Sequence, residues 1–535
     1  MWSFADVLDE VAVSVPAGAE AFRHGERVIL WHDARRRMEG LAGFLHDAGL
    51  RPGDKVAFYM RNGPAYGELA GACFLGGFVH VNVNYRYKPH EVAYILQNAD
   101  AAAVVYTAEF REAVAEIFGQ LPTLKVALEV GARAGRPDFA RDYEGAAESG
   151  LPIAQSAPRS PDNQVFVYTG GTTGMPKGVM QRQGDLVPAL MLSAELFPGQ
   201  SPRSLGDIGN AIRARGSAAQ RYLPACPQMH GTGFFVTMAT LLSGGCLVTV
   251  ERSGLDAAHI WQTVEQHGVT DIAIVGDAFA RPMLSALREA STPPDLSSLA
   301  SIASSGTIWS VEVRTELLSL LPDLRLLDFF ASSEATTMGV AVSTAGNVAP
   351  TACFIPTPNV IIIDDEDRPI PPGSGAAGRI AIGGAQPLGY YKDSGKSAAT
   401  FKMIDGQRYS IPGDYARVEP DGTLVLLGRG SHCINTAGEK VFPEEVEEAL
   451  KLHGVVEDAL VVGVPDEKWG QAVVGIVTLA SGSVLDEVAL RRHVRETLAA
   501  YKVPKRIFAT EANLRAPNGK ADYAAARNVA GLALG

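Results

Sequence analysis

The apolar residues of the first 340 positions follow two alternating spacings. Residues 34–48 carry apolar side chains at helical spacing, with Asp33 as the predicted N-cap and Gly49 at the end. Helical patterns also cover residues 257–267 and 278–289. Short apolar or β-branched runs predict strands at residues 55–59, 102–106, 164–169, 271–275, 299–303 and 324–329. Strands that alternate with helices predict an α/β fold with parallel sheets covered on both faces.

The pattern changes near Pro356. Short strand patterns separated by turn residues then predict a small β subdomain over about residues 356–428. Residues 428–430, Gly-Arg-Gly, follow it and are a candidate hinge because glycine relaxes the backbone. Residues 433–535 predict a further unit of helices and strands. A single core rarely supports more than about 300 residues, so a chain of 535 is expected to form several domains.

Composition and charge exclude several classes of function. Hydrophobic residues make up 47% and charged residues 20% of the chain, which excludes a largely disordered protein. The net charge is −12, which argues against electrostatic binding of nucleic acid or of an anionic membrane. Five scattered cysteines make a disulfide framework or a thiolate zinc site improbable.

The first residues and the most apolar stretch lack the features of a targeting segment. Acidic side chains in the first ten residues, and the lack of a basic segment there, argue against a signal peptide. The most apolar stretch, residues 69–83, is interrupted by glycines, His80 and Asn82 and is too short to span a bilayer. The sequence therefore predicts a cytoplasmic protein without a transmembrane segment.

Residues 168–179, Tyr-Thr-Gly-Gly-Thr-Thr-Gly-Met-Pro-Lys-Gly-Val, predict a phosphate-binding loop. Glycines let backbone N–H groups approach phosphate oxygens, threonine hydroxyls donate hydrogen bonds, and Lys177 adds positive charge. The segment is not a Walker loop, because Pro176 precedes the lysine and no Ser or Thr follows it. The predicted phosphate contacts in it are Thr169, Gly170, Gly171, Thr172, Thr173, Gly174 and Lys177.

Four further segments follow in the order typical of the adenylate-forming superfamily. They are residues 330–334 (Phe-Ala-Ser-Ser-Glu), 409–414 (Tyr-Ser-Ile-Pro-Gly-Asp), 428–447 and 517–520 (Pro-Asn-Gly-Lys). Across nearly its whole length the chain resembles AMP-forming acyl-CoA synthetases of that superfamily. Residues 277–282 and 305–310 are most similar to bacterial ligases of fatty acids and steroid side chains.

The resemblance implies a particular domain organisation. A large N-terminal AMP-binding domain, residues 1–428, is expected to contain two doubly wound α/β sheets and a small β-barrel-like subdomain. Residues 429–432 form the hinge, and residues 433–535 form a small, mobile α+β C-terminal domain. The expected cofactors and co-substrates are ATP, Mg²⁺ and CoA.

The resemblance also assigns residues to the nucleotide and the metal. Asp414 is expected to accept hydrogen bonds from the ribose hydroxyls, and Arg429 to contact ribose or phosphate. Thr169 and Glu334 are expected to hold Mg²⁺, which prefers oxygen ligands and bridging phosphates. Phe330 replaces the usual tyrosine but keeps a ring face for adenine. The remaining expected nucleotide contacts are Ser305, Ala331, Ser332 and Ser333.

Four further residues are expected to serve the reaction rather than nucleotide binding. Lys520 is expected to bridge the substrate carboxylate and the α-phosphate during adenylation. His230 is expected to flank the acyl pocket, with a structural core histidine as the alternative. Gly438 and Lys440 are expected to line the CoA channel.

The acyl pocket is expected to be deep. Relatives that activate acetate carry a Trp at the position of Ala331, and relatives that activate long acyl groups carry Gly. The small Ala331 therefore argues for a medium or long-chain or bulky acid. The expected lining residues are His230, Gly231, Phe234, Phe235, Gly306 and Ala331.

The sequence thus predicts an acid–CoA ligase that first forms acyl-AMP and then the thioester. Three alternatives stay open: an aryl-CoA ligase, a ligase that delivers the acyl group to a carrier protein, and a non-catalytic sensor. The sequence does not decide whether the chain forms a homodimer. His432 stands where the family usually has Asp or Lys at the pivot, so a pH-sensitive hinge is a further hypothesis.

Overall fold

The computed structural model of the chain describes residues 1–131, 134–149, 151–152, 159–169, 175–197, 200–252, 254–436, 439–466, 470–516 and 520–534. The helices are α1 Phe4–Ser14, α2 Trp31–Asp47, α3 Pro64–Gly76, α4 Pro89–Asn98, α5 Arg111–Phe118, α6 Tyr143–Ser149, α7 Gln183–Ser193, α8 Leu205–Arg215, α9 Gly231–Leu242, α10 Ala257–His267, α11 Asp277–Glu289, α12 Val311–Leu320, α13 Ser394–Thr400, α14 Pro443–Lys451, α15 Glu487–Thr497 and α16 Tyr523–Leu534. The strands are β1 Glu20–His24, β2 Arg27–Leu30, β3 Lys55–Tyr59, β4 Val79–Asn82, β5 Ala101–Thr107, β6 Val126–Val130, β7 Ala140–Asp142, β8 Gln164–Thr169, β9 Lys177–Arg182, β10 Arg221–Pro224, β11 Cys246–Thr249, β12 Asp271–Ile274, β13 Ser301–Ser305, β14 Arg325–Ser332, β15 Thr336–Ser343, β16 Cys353–Pro356, β17 Val360–Ile363, β18 Gly378–Ile382, β19 Gly389–Tyr390, β20 Phe401–Ile404, β21 Gln407–Ser410, β22 Asp414–Val418, β23 Leu424–Arg429, β24 Ile434–Thr436, β25 Glu439–Val441, β26 Val456–Asp466, β27 Gly470–Leu479 and β28 Arg506–Ala509.

The chain divides into two compact units. The first unit comprises Met1–Met338, Val342–Ala349 and Gly383–Ser410, and the second comprises Gly339–Ala341, Pro350–Ile382 and Ile411–Gly535. The predicted hinge at 429–432 lies inside the second unit, and its motion stays a prediction.

One sheet of the first unit has the strand order β19-β9-β8-β4-β3-β5-β6-β7. The strands from β8 to β7 are parallel, and β9 and β19 add an antiparallel edge. Alternate residues of β3 enter different cores: Val56 and Phe58 belong to one apolar cluster, and Ala57 and Tyr59 to another. Both faces of this sheet are therefore buried, as an α/β fold requires.

The other sheet of the first unit runs in the order β2-β1-β11-β10-β12-β13-β14. All neighbours from β1 to β14 are parallel. Leu247 and Val248, adjacent on β11, again belong to different apolar clusters. The predicted α/β fold with buried parallel sheets is confirmed.

The second unit contains an antiparallel part and a C-terminal part. Strands β16, β23, β22, β18 and β17 pair in that order, each antiparallel to the next. In the C-terminal part, β25, β24, β27 and β26 form an antiparallel sheet, and β28 is parallel to β27. The small C-terminal α+β unit predicted from the sequence is present.

The start of α2 differs from the sequence prediction. The helix begins at Trp31 with Leu30 as its N-cap, so Asp33 lies within the first turn and is not the cap. An acidic side chain in the first turn is still favoured by the helix dipole, which explains why the sequence signal was off by three residues.

None of the helices in the described ranges combines the length and the apolar character that crossing a bilayer requires.

A buried ion pair joins α2 to α3. Arg37 donates to both carboxylate oxygens of Glu68, at 2.6 and 3.0 Å, and the Tyr143 hydroxyl donates to Glu68 at 3.0 Å. The exposed side-chain fractions are 6% for Arg37 and 1% for Glu68. Removal of one partner would leave the other charge buried and uncompensated.

Replacement of Arg37 by Met is therefore expected to lower the free energy of unfolding by about 3–5 kcal/mol. Urea unfolding monitored by tryptophan fluorescence measures the change. Arg36→Met is the matched control, because Arg36 is 58% exposed and, among the described residues, forms an ion pair only with Asp33, one turn earlier in the helix. The control is expected to change stability by less than about 0.5 kcal/mol. Equal effects of the two substitutions on the free energy of unfolding would contradict the stabilising role of the buried Arg37–Glu68 pair.

Candidate functional site

The described ends of the predicted phosphate loop lie on two paired strands. Thr169 ends β8 and lies opposite Lys177, which begins β9. The Lys177 ammonium forms an ion pair with Asp393, with 2.5 Å between Nζ and Oδ2. Hydrogen bonding to Lys177 lowers the pKa of the Asp393 carboxyl. The loop residues Gly170, Gly171, Thr172, Thr173 and Gly174 lie outside the described residues, so their phosphate contacts stay a prediction.

The turn that carries Glu334 is held by three strands of the first unit. The Gln181 amide, on β9, donates to the backbone oxygen of Ser333 at 3.0 Å. The Ser410 hydroxyl, on β21, donates to the backbone oxygen of Glu334 at 2.6 Å. The Tyr390 hydroxyl, on β19, donates to Oε1 of the Glu334 carboxylate at 2.9 Å. Side chains of β9, β19 and β21 therefore fix this turn.

The predicted nucleotide-binding residues of the segment 330–334 lie at the end of β14 and in the turn after it. Phe330, Ala331 and Ser332 are the last residues of that strand, and Ser333 and Glu334 form the turn that follows. Ser305 ends the adjacent parallel strand β13 and lies opposite Phe329. Ligands collect at the carboxyl ends of parallel strands, and these residues occupy that edge.

Two glycines leave space beside this edge. A methyl group placed on Gly306 would lie 3.8 Å from both Thr232 Oγ1 and Val275 Cγ1. One placed on Gly231 would lie 3.8 Å from Ser333 Oγ and from Phe235. These contacts bring the start of α9 close to both the β13 end and the β14–β15 turn. Several of the predicted acyl-pocket residues are therefore neighbours in the first unit.

His230 and the two phenylalanines of α9 have different surroundings. His230 is the N-cap residue of α9 and is partly buried. Phe235 is also partly exposed, whereas Phe234 is 1% exposed and stacks on His80 at a ring separation of 4.3 Å. In this structure Phe234 is a core residue that packs beside the predicted acyl pocket.

Asn82 connects the predicted nucleotide and acyl regions, although the sequence analysis did not select it. Its amide donates to the backbone oxygens of Tyr168 (2.9 Å) and Met229 (2.6 Å) and accepts from the Tyr168 backbone N–H. The signal for it was present, because a buried polar residue interrupts the most apolar stretch of the chain. Ser410 lies within the motif at residues 409–414 but received no role of its own. Gln181, Tyr390 and Asp393 were also missed, and no motif of the sequence marks them.

In the second unit, Asp414 and Arg429 face each other across β22 and β23. The Arg429 guanidinium donates from Nε to Asp414 Oδ1 at 3.2 Å. Asp414 is buried and Arg429 is about half exposed. The two residues predicted to bind ribose and phosphate are thus brought together.

The Glu444 carboxylate packs against the start of the predicted hinge. Its Oε1 accepts from the Arg429 backbone N–H at 3.3 Å. A methyl group placed on Gly428, whose φ is +130°, would lie 2.0 Å from Glu444 Oε2. Only glycine therefore fits at position 428 in this arrangement.

Two carboxyl groups of α14 have raised pKa values. Burial raises the pKa of Glu444, and the negative charge of Asp414 raises it further. Burial and the charge of Glu444 raise the pKa of Glu447, which accepts from the Val461 backbone N–H at 2.9 Å. The fold therefore favours the protonated forms of these groups.

The His432 ring packs on Tyr523, which contacts one of these carboxylates. The centres of the two rings lie 4.2 Å apart, and the Tyr523 hydroxyl donates to Glu447 at 3.4 Å. Burial, with the charges of Arg429 and Arg527, lowers the pKa of His432 to about 4. This value argues against the hypothesis that His432 changes charge near neutral pH.

The remaining predicted residues lie in the C-terminal part. Lys520 is exposed, and its backbone oxygen accepts from the Ala516 N–H at 2.8 Å. Lys440 is in β25. Gly438 lies outside the described residues, so the CoA-channel contacts stay a prediction.

The oxygen donors of Thr169 and Glu334 suit Mg²⁺, which takes carboxylate and hydroxyl ligands together with substrate phosphates. Both side chains are partly exposed, Thr169 as the last residue of β8 and Glu334 in the turn after β14. No cluster of three or more His, Cys, Asp or Glu side chains suited to a metal occurs in the described ranges. The donor set therefore fits a cation that is shared with the phosphates and does not fit a closed protein cage.

Family models match most of the chain. A model described as AMP-binding enzyme matches residues 8–391, and one described as AMP-binding enzyme C-terminal domain matches residues 445–520. The chain belongs to the AMP-binding enzyme family. The order of motifs in the sequence had indicated this family, and that prediction is confirmed.

Two curated members of the family match over nearly their full length. The chain is 38% identical to 3-oxocholest-4-en-26-oate–CoA ligase of Rhodococcus rhodochrous, over 99% of this chain and 96% of that protein. It is 36% identical to a medium/long-chain-fatty-acid–CoA/3-oxocholest-4-en-26-oate–CoA ligase of Mycolicibacterium smegmatis, over 98% and 96%. Among solved structures, ATP-bound MatB from Rhodopseudomonas palustris matches with a TM-score of 0.82 at 21% identity, over 98% of both chains. This last likeness shows the fold.

The raised pKa values predict how stability depends on pH. A carboxyl whose pKa is raised on folding stabilises the fold at pH values below its unfolded pKa, and this contribution is lost as the pH rises through the folded pKa. Glu444→Gln keeps the shape of the side chain and removes the charge. The variant is expected to be more stable than the parent at pH 8, by about 1 kcal/mol or roughly 2–4 °C in melting temperature.

Thermal unfolding of both proteins between pH 5 and pH 8 measures this difference, which is expected to shrink toward pH 5. Glu445→Gln is the control, because Glu445 is paired with Lys502 at 2.5 Å. A melting temperature of Glu444→Gln that is lower than the parent's at pH 8 would contradict the raised pKa of the Glu444 carboxyl.

Proposed function

We propose that the chain is an AMP-forming acid–CoA ligase that activates a medium or long-chain or bulky carboxylic acid. The observation that carries the proposal is the full-length similarity, at 36–38% identity, to family members named as ligases of fatty acids and of a steroid side-chain acid. The pairing of Thr169 with Lys177, and the hydrogen bonds that fix the turn of Glu334, support it.

In the first half-reaction, the substrate carboxylate attacks the α-phosphorus of ATP. An oxygen–phosphorus bond forms to give acyl-AMP, and pyrophosphate leaves. One anion must approach another, so positive charge and N–H donors have to be fixed around the phosphates. We assign Lys177 to the leaving phosphates and Lys520 to the carboxylate and the α-phosphate.

When bound, Mg²⁺ would be held by the Glu334 carboxylate and the Thr169 hydroxyl and would neutralise phosphate charge. Glu334 is suited to this role because its turn is fixed by hydrogen bonds from β9, β19 and β21. Asp414 is assigned to the ribose hydroxyls, and its bond to Arg429 orients the carboxylate.

In the second half-reaction, the thiol of CoA loses its proton and attacks the acyl carbonyl carbon. The thioester forms and AMP leaves. We assign Gly438 and Lys440 to the CoA channel and residues 429–432 to the hinge of a domain movement between the two steps. The cytoplasmic location also stays a prediction from the sequence.

The proposed acid is apolar and larger than acetate. Gly231 begins α9, Gly306 follows β13 and Ala331 is near the end of β14. These residues carry no side chain or a single methyl group, which leaves space for an acyl group. The partly exposed ring of Phe235 supplies an apolar surface there. An aryl acid is the second candidate.

A panel of aliphatic, aromatic and steroid acids, assayed for AMP release with and without CoA, tests the function. Acid-dependent AMP release that requires CoA supports the ligase. Acyl-AMP formation without thioester would favour delivery to a carrier protein. Absence of acid-dependent pyrophosphate exchange with every acid would favour the non-catalytic sensor.

Lys520→Ala is expected to lower the rate of acyl-AMP formation by at least about 100-fold, since a group that stabilises transition-state charge is lost. Thioester formation from supplied acyl-AMP is expected to change much less. Stopped-flow measurement of each half-reaction separates the two rates. Lys88→Ala removes another exposed lysine and is the control. Equal losses in both half-reactions would contradict the role assigned to Lys520.

Ala331→Trp is expected to fill the acyl pocket at the end of β14. The value of kcat/KM for long-chain or bulky acids is expected to fall at least about tenfold more than the value for short acids, because an extended chain loses several buried methylenes. Ala331→Gly is the control at the same position and is expected to keep activity on long acids. If Ala331→Trp lowers kcat/KM equally for all chain lengths, Ala331 does not line the acyl pocket.

A further inference from the structure

We propose that Tyr390 is a positioning residue for the Glu334 carboxylate, and this inference rests on the proposed function. The motifs of the sequence do not mark Tyr390, which lies 56 residues after Glu334. The structure places its hydroxyl 2.9 Å from Glu334 Oε1.

The Glu334 backbone and side chain are fixed by different groups. Ser410 donates to the Glu334 backbone oxygen, and Gln181 donates to the preceding carbonyl. These bonds leave the side-chain torsions of Glu334 free to rotate, and the bond from Tyr390 restrains them. A carboxylate that is already oriented loses less conformational freedom when it binds a cation.

The hydrogen bond also leaves the carboxylate able to bind a cation. Tyr390 donates its proton to Oε1, and a carboxylate has about four lone-pair sites on its two oxygens. Mg²⁺ ligands in proteins are commonly oriented by such outer hydrogen bonds.

Tyr390 is itself rigidly held. It is 6% exposed, and it pairs with Val179 of β9 in an antiparallel register. Its backbone N–H donates to Ser397 Oγ at 2.8 Å, and Ser397 Oγ donates to the Asp393 backbone oxygen at 2.6 Å. The preceding Gly389 has φ +147°, and a methyl group there would lie 2.8 Å from Ser397 Oγ. The phenol therefore has little freedom to leave Glu334.

The same short segment contacts a second predicted phosphate-binding group. Asp393 pairs with Lys177, and it also caps α13 by accepting from the Lys396 N–H at 2.9 Å. The Lys177 ammonium lies 5.8 Å from the centre of the Tyr390 ring. Residues 389–393, which we call the positioning segment, thus contact both the cationic and the anionic group of the site.

Tyr390→Phe is the test, because it removes one hydroxyl and keeps the ring in its packing. The matched control is Tyr391→Phe. The Tyr391 hydroxyl also donates to a carboxylate, Asp100, at 2.9 Å, but Asp100 has no assigned role in the reaction. Both variants lose one tyrosine–carboxylate hydrogen bond, so they differ in which carboxylate is released.

The first measurement is calorimetric titration of ATP at a series of Mg²⁺ concentrations, with no acid present. The Mg²⁺ concentration for half-maximal ATP binding is expected to rise about 10-fold or more in Tyr390→Phe, as is typical when a partner of a metal ligand is lost. It is expected to stay at the wild-type value in Tyr391→Phe. ATP binding without Mg²⁺ is expected to be unchanged in both.

The second measurement is a double-mutant cycle with Glu334→Gln. If Tyr390 acts through Glu334, Tyr390→Phe is expected to have little further effect on the Mg²⁺ dependence in the Glu334→Gln background. Independent effects of the two substitutions would overturn the proposal. The same Mg²⁺ dependence in Tyr390→Phe, Tyr391→Phe and wild type would also overturn it.

The binding readout separates this proposal from the proposed function. If the wild-type protein binds ATP with Mg²⁺ but forms acyl-AMP from no acid, the proposed ligase function is overturned. The Mg²⁺ dependence of ATP binding in the variants then still decides the role of Tyr390. A wild-type protein that binds no ATP at any Mg²⁺ concentration would overturn both.

Discussion

Strand β9 has a hydrogen-bonded neighbour on each side, and the candidate site of the first unit depends on that position. Its first residue, Lys177, lies opposite Thr169 of β8, and its third, Val179, lies opposite Tyr390 of β19. Strand pairing fixes which residues are adjacent, since a shift by one residue would turn every side chain to the other face. The pairing therefore sets the positions of the lysine and of the groups that contact Glu334.

The polar groups around this strand are organised by contacts between distant parts of the chain. Asn82 connects the end of β8 with the loop before α9, and Gln181 and Ser410 hold the turn after β14. Buried amides and hydroxyls are costly without partners, so each such bond also fixes the backbone that it contacts. The strand ends and turns of the candidate site are therefore held in place before any ligand arrives. Such fixed groups are the condition for electrostatic stabilisation of a transferred phosphate.

The second unit shows a different constraint, which is crowding of like charges. Glu444 and Glu447 are buried on one helix, and Asp414 adds a third carboxylate nearby. Arg429 forms an ion pair with Asp414 and so compensates part of this charge. The fold favours the protonated forms of the other two carboxyl groups, Glu444 and Glu447. Residues 428 and 429 touch Glu444 directly, so the start of the proposed hinge is in contact with a group whose charge depends on pH.

The sequence by itself determined the α/β class, the family and the position of the main motifs. The periodicity of apolar residues reports which faces are buried. The glycines, Lys177, Glu334 and Asp414 stand in short motifs, and the order of these motifs along the chain indicates the family. The sequence placed the start of α2 wrongly, because a first-turn aspartate and a capping aspartate satisfy the same helix dipole. Only the tertiary structure decided that Tyr390 contacts Glu334, that Asp393 pairs with Lys177 and that Glu444 packs on Gly428. These contacts join residues that are 16 to 216 positions apart. Strand order and register bring such residues together, and neither leaves a pattern in the local sequence.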